Sequence, residues 1–351
     1  MRNTRATTQK HRVSLGTDLE GTPPRPFPRT PAPKLEKTPR LLEFALCILF
    51  ALSFTGSKAS EELTFSHVGL ARTYRLHLPP GSTSDSPLPL IVALHGATMN
   101  GKQMEGLTKL TRLSNQTREF AVAYPSADPK GNAGIWDFLS PRIPTAQPSD
   151  SRITSGRDDL GFLSALMESL VAEGVANPKR IYLTGMSNGA FLANRFVLEE
   201  PGRIAAMGLV AGTFPRILEG TEDTGHILPI AYFHGTGDEI VKIDGSSFLT
   251  KQKLSLSARE YTEWWVKRNA IAARQPETMV LPNRDPEDAC RVERLRWDSE
   301  AAPVVFYRIR GGGHTWTGGP DTQPTQLLGP IAKDIDASTL LWNFFRNFQL
   351  E

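Results

Sequence analysis

The sequence predicts an α/β fold: a mainly parallel twisted sheet with helices on both faces, in a single domain. Three observations lead there. From about residue 62 onward, apolar β-rich runs alternate with helical patterns. One run, Leu88–Leu94 (LPLIVAL), is apolar throughout, as a strand buried on both faces requires. The stretch Gly185-Met186-Ser187-Asn188-Gly189 passes directly from a strand pattern into a helix pattern.

The chain begins with a segment of different character. Residues 1–40 hold seven prolines and nine Lys/Arg against three Asp/Glu, with almost no apolar periodicity. Such a composition cannot bury enough surface to fold, and a disordered extension is expected. Residues 41–59 follow, with a basic flank at Lys37 and Arg40, an apolar run Leu41–Phe54, and small residues at Ser57 and Ala59. The run is shorter than the roughly 20 residues a spanning helix needs. The pattern is that of a secretory signal peptide, with a short membrane anchor as the alternative. Residues 60–351 then form the folded domain, secreted or periplasmic.

Removal of residues 1–40 changes the charge balance. The whole chain carries +3 and this segment +6, so the remainder carries −3. No basic stripe is left for a nucleic acid, and contact with a membrane is expected only through the signal segment. Cys47 would leave with the signal, so Cys290 is expected as a lone, inert thiol without a disulfide.

Within the domain, Arg72–Leu78 alternates and reads as an edge strand, and Leu88–Leu94 as a central one. A helical segment spans about 101–117, then a strand Phe120–Tyr124. Residues 139–157 are rich in Pro, Ser and Thr and read as an irregular excursion. Asp158 and Asp159 open a helix to about Ala172, where acidic residues suit the first turn. Arg180–Thr184 is a strand and Asn188–Leu198 a helix. Ala205–Val210, Pro229–Phe233 and Val304–Arg308 are further strands. Leu256–Arg268 and Ala337–Phe348 read as helices.

The chemistry concentrates at a few positions. Ser187 lies in a G-x-S-x-G pattern between a strand and a helix, the setting of a nucleophile elbow. A serine hydroxyl needs a base and an orienting carboxylate, and in this arrangement they follow it in the order acid, then histidine. Asp238, in HGTGD after the strand Pro229–Phe233, is the candidate acid, with Asp244 next and Asp223 third. His314, in GGGHTW after the last strand, is the candidate base; three glycines suit a loop presenting an imidazole to another element. His95-Gly96-Ala97 follows the strand whose loop completes an oxyanion hole, so the Ala97 and Asn188 backbone N–H groups are the expected donors. His95 reads as structural, and His234 as a brace of the acid turn. No Cys/His cluster has metal-ligand spacing, and no metal or organic cofactor is expected.

Taken together, these motifs resemble the polyhydroxybutyrate depolymerase-like esterases, a group that includes feruloyl and acetylxylan esterases. The likeness runs over about residues 65–347, through LPLIVALHG, AVAYPSAD, the Trp136 region, DDLGF, RIYLTGMSNGA, FHGTGDEIV and GGGHTWTGG. The resemblance implies the α/β-hydrolase fold, a Ser187–Asp238–His314 triad, and oxyanion donors at Ala97 and Asn188. The chain departs from the pattern at Thr317, where proline is usual, and at Asn269-Ala270, where a cysteine motif is frequent. Trp136 and Trp316 are candidates to line a substrate pocket or to pack over the site.

The expected activity is therefore hydrolysis of short hydroxyalkanoate, feruloyl or acetyl-sugar esters through an acyl-enzyme. The substrate is expected to be a small molecule or a soluble oligomer, because no Thr- or Ser-rich linker with a polymer-binding module follows the domain. An acyltransferase, a serine peptidase and a non-catalytic binding protein of hydrolase ancestry are the alternatives.

Overall fold

The computed structural model describes residues 60–139, 157–218, 225–246, 252–272 and 275–351. The expected disordered extension, the signal segment and most of the 139–157 excursion lie outside them, as does Asp223.

The described elements run β1 (Glu61–His67), β2 (Leu70–His77), β3 (Leu88–Leu94), α1 (Gly101–Thr108), α2 (Leu110–Thr117), β4 (Ala121–Pro125), α3 (Asp159–Ala172), β5 (Ala176–Met186) and α4 (Asn188–Glu199). Then come β6 (Ala206–Val210), β7 (Ile230–Gly235), α5 (Ala258–Arg268), β8 (Glu277–Val280), β9 (Arg291–Trp297), β10 (Val304–Arg310), α6 (Thr325–Leu328) and α7 (Ala337–Phe345). The strands form one sheet in the order β1-β2-β4-β3-β5-β6-β7-β10-β9-β8. The six from β4 to β10 are parallel, and antiparallel strands flank them on both sides.

Alternation along a strand explains the unbroken apolar runs. Leu90, Val92 and Leu94 of β3 face one core together with Leu160, Phe162 and Leu163 of α3 and Ala193 and Phe196 of α4. Ile91 and Ala93, between them, face a second core with Met104 of α1, Leu110 of α2 and Leu341 and Phe345 of α7. Each face of the sheet therefore has its own helical layer, and a central strand has no polar side to show.

Three local expectations are corrected. The strand around Arg72–Leu78 is not an edge: β1 pairs outside it, His67 opposite Leu70, across a two-residue turn at Val68-Gly69. Both turn residues have left-handed φ, +49° and +73°, as a tight hairpin demands, but valine there gives no turn signal. The 101–117 helix is two helices, broken at Lys109 with φ +56°. Strands β8 (ETMV) and β9 (RVERLRW, rich in charge) lie outside the strands the sequence predicts. Among the described residues no helix is long and apolar enough to cross a membrane.

Candidate active site

Ser187, Asp238 and His314 follow β5, β7 and β10, and His95 follows β3. All four therefore sit at the carboxyl ends of parallel strands, where open α/β sheets place their sites.

The elbow at Ser187 is strained, with φ +53° and ψ −118°. Non-glycine residues in such regions cost on the order of 1–3 kcal/mol. The strain is held by the Ser187 N–H, which donates to Val210 O at 3.0 Å, and by Ser187 O, which accepts from Ala190 and Phe191 N–H at 2.9 and 3.1 Å. A Cβ on Gly189 would strike the carbonyl oxygens of Leu94 and His95, the latter at 2.6 Å. Glycine is needed there because α4 starts against the end of β3. Ser187 is itself only partly buried.

Asp238 and His314 are brought together: His314 Nδ1 lies 2.8 Å from Asp238 Oδ2. Both are buried, at 2% and 5% exposure. Asp238 Oδ1 accepts from the Ile240 and Val241 N–H groups, each at 2.9 Å. His234 Nε2 stands 3.4 Å from Oδ2 and 2.7 Å from Val241 O, while its Nδ1 meets the Tyr232 hydroxyl. Burial alone would raise the Asp238 carboxyl, but hydrogen bonds from His234 and His314 outweigh it and hold the group well below the usual carboxylate range. It stays ionised. Asp244, the next candidate, is exposed and bonds to Ser246 in its own loop.

The glycines before His314 have a different cause from the one the sequence suggested. Gly311 alone among the three has a left-handed φ, +78°. A Cβ on Gly235 would strike Gly312 O, and one on Gly313 would strike Leu328 O. The histidine loop is pressed between the acid turn and the segment after α6, and is pinned by Gly313 N–H to Pro330 O and His314 N–H to Leu328 O, at 2.9 and 2.5 Å. No hydrogen bond joins Ser187 to His314 among the described residues.

The segment at Ala97 lies against Ser187: a Cβ on Gly96 would sit 3.6 Å from Ser187 Cβ. Ala97 is exposed. Asn188 is the first residue of α4, so its N–H has no partner within the helix. His95 is buried, accepts the Ala127 N–H on Nε2 at 3.0 Å, and lies 2.7 Å from Gly96 O through Nδ1. Desolvation pushes its pKa down to about 4, so it is a neutral brace.

Trp136 and Trp316 do not line a surface in this structure; both are fully buried. Trp316 packs into the α7-side core and donates from Nε1 to Ser338 Oγ at 3.1 Å. Trp136 lies beneath the site against His95, its ring 4.9 Å away.

A pair that the sequence reading missed supports this region. Asp159 stands in the first turn of α3 as expected, and it also forms a buried ion pair with Arg72 at 2.7 Å and accepts the Asp137 N–H at 2.7 Å. Asp158 is the true cap of α3, accepting from Gly161 N–H at 2.8 Å. An arginine in a strand and two adjacent acids were the signal, but only burial distinguishes the two acids. Phe138 and Phe191, both partly exposed, pack with tilted rings 5.2 Å apart beside the start of α4. Among the described residues no group of three or more His, Cys, Asp or Glu could hold a metal ion.

A strained serine between strand and helix, with a paired carboxylate and imidazole at the same edge of a mainly parallel sheet, defines an α/β-hydrolase. Solved structures agree on the fold. An acetyl xylan esterase from Aspergillus awamori superposes with a TM-score of 0.52 at 18% identity, over 74% of this chain and 94% of that one. A dienelactone hydrolase-like promiscuous phosphotriesterase from metagenomic libraries superposes with a TM-score of 0.51 at 12% identity, over 84% and 100%.

Residues 72–217, about two-fifths of the chain, match the family described as esterase PHB depolymerase. The match includes Ser187 and ends before Asp238 and His314. A protein of Nocardia uniformis subsp. tsuyamanensis named as an esterase, NocK, is 26% identical over 79% of each chain. The poly(3-hydroxyalkanoate) depolymerase C of Paucimonas lemoignei is 27% identical over 49% of this chain and 39% of its own. Feruloyl esterase B of Piromyces equi is 23% identical over 67% and 41%. The chain thus spans about two-fifths of the depolymerase and of the feruloyl esterase.

Proposed function

We propose that the protein is a serine carboxylic-ester hydrolase working through an acyl-enzyme on Ser187. His314, oriented by Asp238, takes the Ser187 proton through Nε2, and Ser187 Oγ attacks the ester carbonyl. The oxyanion rests on the Ala97 and Asn188 N–H groups. The alcohol leaves with the proton from His314, and water, deprotonated by the same imidazole, releases the acid. The observation that carries this reading is the buried Asp238–His314 hydrogen bond, placed at the same sheet edge as the strained Ser187. The open Ser187–His314 contact fits a resting enzyme, in which catalytic hydrogen bonds tighten with substrate.

For the substrate, the names of the relatives support hydroxyalkanoate, feruloyl or acetyl-sugar esters of small or oligomeric size. The half-exposed Phe138–Phe191 pair supports an apolar or aromatic group on the acid side. Export through residues 41–59 is the reading that segment's pattern supports.

The test is fluorophosphonate labelling of the purified protein beside Ser187→Ala, with turnover of p-nitrophenyl esters measured on both. Labelling and turnover in the wild type alone support the assignment. Turnover by a folded Ser187→Ala variant within tenfold of the wild type refutes it.

A further inference from the structure

Trp136 stands out because one residue is tied to both segments that carry the proposed oxyanion donors. Its indole Nε1–H donates to His95 O at 3.0 Å, one peptide from Gly96 and two from Ala97. Its backbone N–H donates to Asn188 Oδ1 at 2.7 Å, and its backbone carbonyl accepts from Asn188 Nδ2 at 3.2 Å. The Asn188 side chain thereby grips Trp136 at two points, while the Asn188 backbone N–H opens α4. The two donor segments follow the adjacent strands β3 and β5, whose pairing ends at Leu94 opposite Gly185, three residues before each donor, and Trp136 bridges them beyond that point.

The surroundings hold Trp136 rigidly. The Asp137 N–H is bound by Asp159, itself paired with Arg72, and Ile135 O accepts from Arg157 Nη2 at 3.1 Å. On the far side, the His95 ring lies at 36° to the indole, and its two nitrogens engage Ala127 N–H and Gly96 O. An oxyanion hole works only if its donors are fixed about 2.7–3.1 Å from the point where charge develops, before it develops. A buried tryptophan needs one acceptor for its N–H. Trp136 instead spends its indole on one donor segment and both backbone groups on the other.

We propose that Trp136 is a positioning residue that locks the two oxyanion donors to one another, with no contact to substrate. The inference rests on the acyl-enzyme reading above. It assigns Trp136 to the transition state rather than to substrate binding, so its loss should lower kcat and leave KM nearly unchanged.

The experiment uses the full chain in three forms: wild type, Trp136→Phe, and a variant with the isostere β-(3-benzothienyl)alanine at position 136, which keeps the shape and replaces the N–H by sulfur. Steady-state kcat and KM for a p-nitrophenyl ester, the rate of fluorophosphonate labelling, and Tm are measured on each. Loss of an entire oxyanion donor costs about 10²- to 10³-fold. Loss of the bond that aims one donor is expected to cost about 10- to 100-fold in kcat. KM should stay within about threefold, and labelling should slow in proportion. The isostere guards against a Trp136→Phe variant that does not fold. A fall in Tm with kcat unchanged well below it would make Trp136 a packing residue only and overturn the proposal. A rise in KM with kcat unchanged would make it a substrate contact and overturn it too. A folded wild type that neither labels nor turns over esters would overturn the acyl-enzyme reading itself, and this proposal with it.

Discussion

Replacing Asp238 by asparagine changes one atom type and almost no volume, and the structure dictates which way the new amide must face. Oδ1 accepts two backbone N–H groups, from Ile240 and Val241, both at 2.9 Å. Turning an NH₂ toward them would leave two buried donors unpaired, at about 1–3 kcal/mol each. The asparagine oxygen therefore stays there, and its NH₂ takes the place of Oδ2, facing His314 Nδ1 at 2.8 Å. An NH₂ donates, so Nδ1 must accept, and the ring proton moves to Nε2. An imidazole protonated at Nε2 cannot take a proton from Ser187. On the proposed mechanism, the wrong tautomer lowers kcat by about 10⁴-fold, equivalent to about 5.5 kcal/mol in the barrier. The assay is steady-state hydrolysis of a p-nitrophenyl ester near pH 7, with circular dichroism to show that the variant is folded. A folded Asp238→Asn enzyme within tenfold of the wild-type kcat would refute the reasoning and leave Asp238 a turn former.

The same variant carries a stability signature with a definite sign. The folded Asp238 carboxyl is held below its unfolded value of about 3.9, so its contribution is present above that pH and is lost as pH falls. The Tm gap between wild type and variant should be widest above about pH 5 and should narrow below pH 4. A gap that widens in acid would contradict the assignment.

Two further expectations concern other parts of the fold. Asp159→Ala strands the buried Arg72 guanidinium; breaking such a pair costs about 3–5 kcal/mol, so Tm should fall by at least about 6 °C, and a shift under about 2 °C would show the pair to be dispensable. Cys290 is fully buried, and burial pushes its thiol up to about 12, so a thiol reagent near neutral pH should react only on unfolding; prompt modification of the native protein would show that the strand end at β9 opens.

Much of the fold was legible because its strands are buried on both faces. LPLIVAL gives β3 to the residue, since nothing polar is tolerated from Leu88 to Leu94. The elbow was legible because glycines at 185 and 189 are demanded by backbone contact, and the order serine, acid, histidine selected Asp238 and His314 from several candidates. Features that depend on tertiary context were not. The Val68-Gly69 turn carries no turn residue at its first position, so β1 went unseen. In β9, RVERLRW keeps charges on an outer strand and lacks an apolar run. Trp136 and Trp316 sit beside the motifs, and an aromatic near a site is equally at home in a pocket wall or beneath it. Only their complete burial decides for the latter.

The seam between Gly235 and Gly312, and between Gly313 and Leu328, has a consequence for how such a sequence can change. Gly235 cannot gain a methyl group unless the histidine loop withdraws, and Gly313 cannot gain one unless the segment at Leu328 withdraws. Viable substitutions at these glycines would have to arise in two distant stretches of the chain at once. Drift at the seam should therefore be slow, and the spacing between carboxylate and imidazole should persist while the helices and outer strands around it vary.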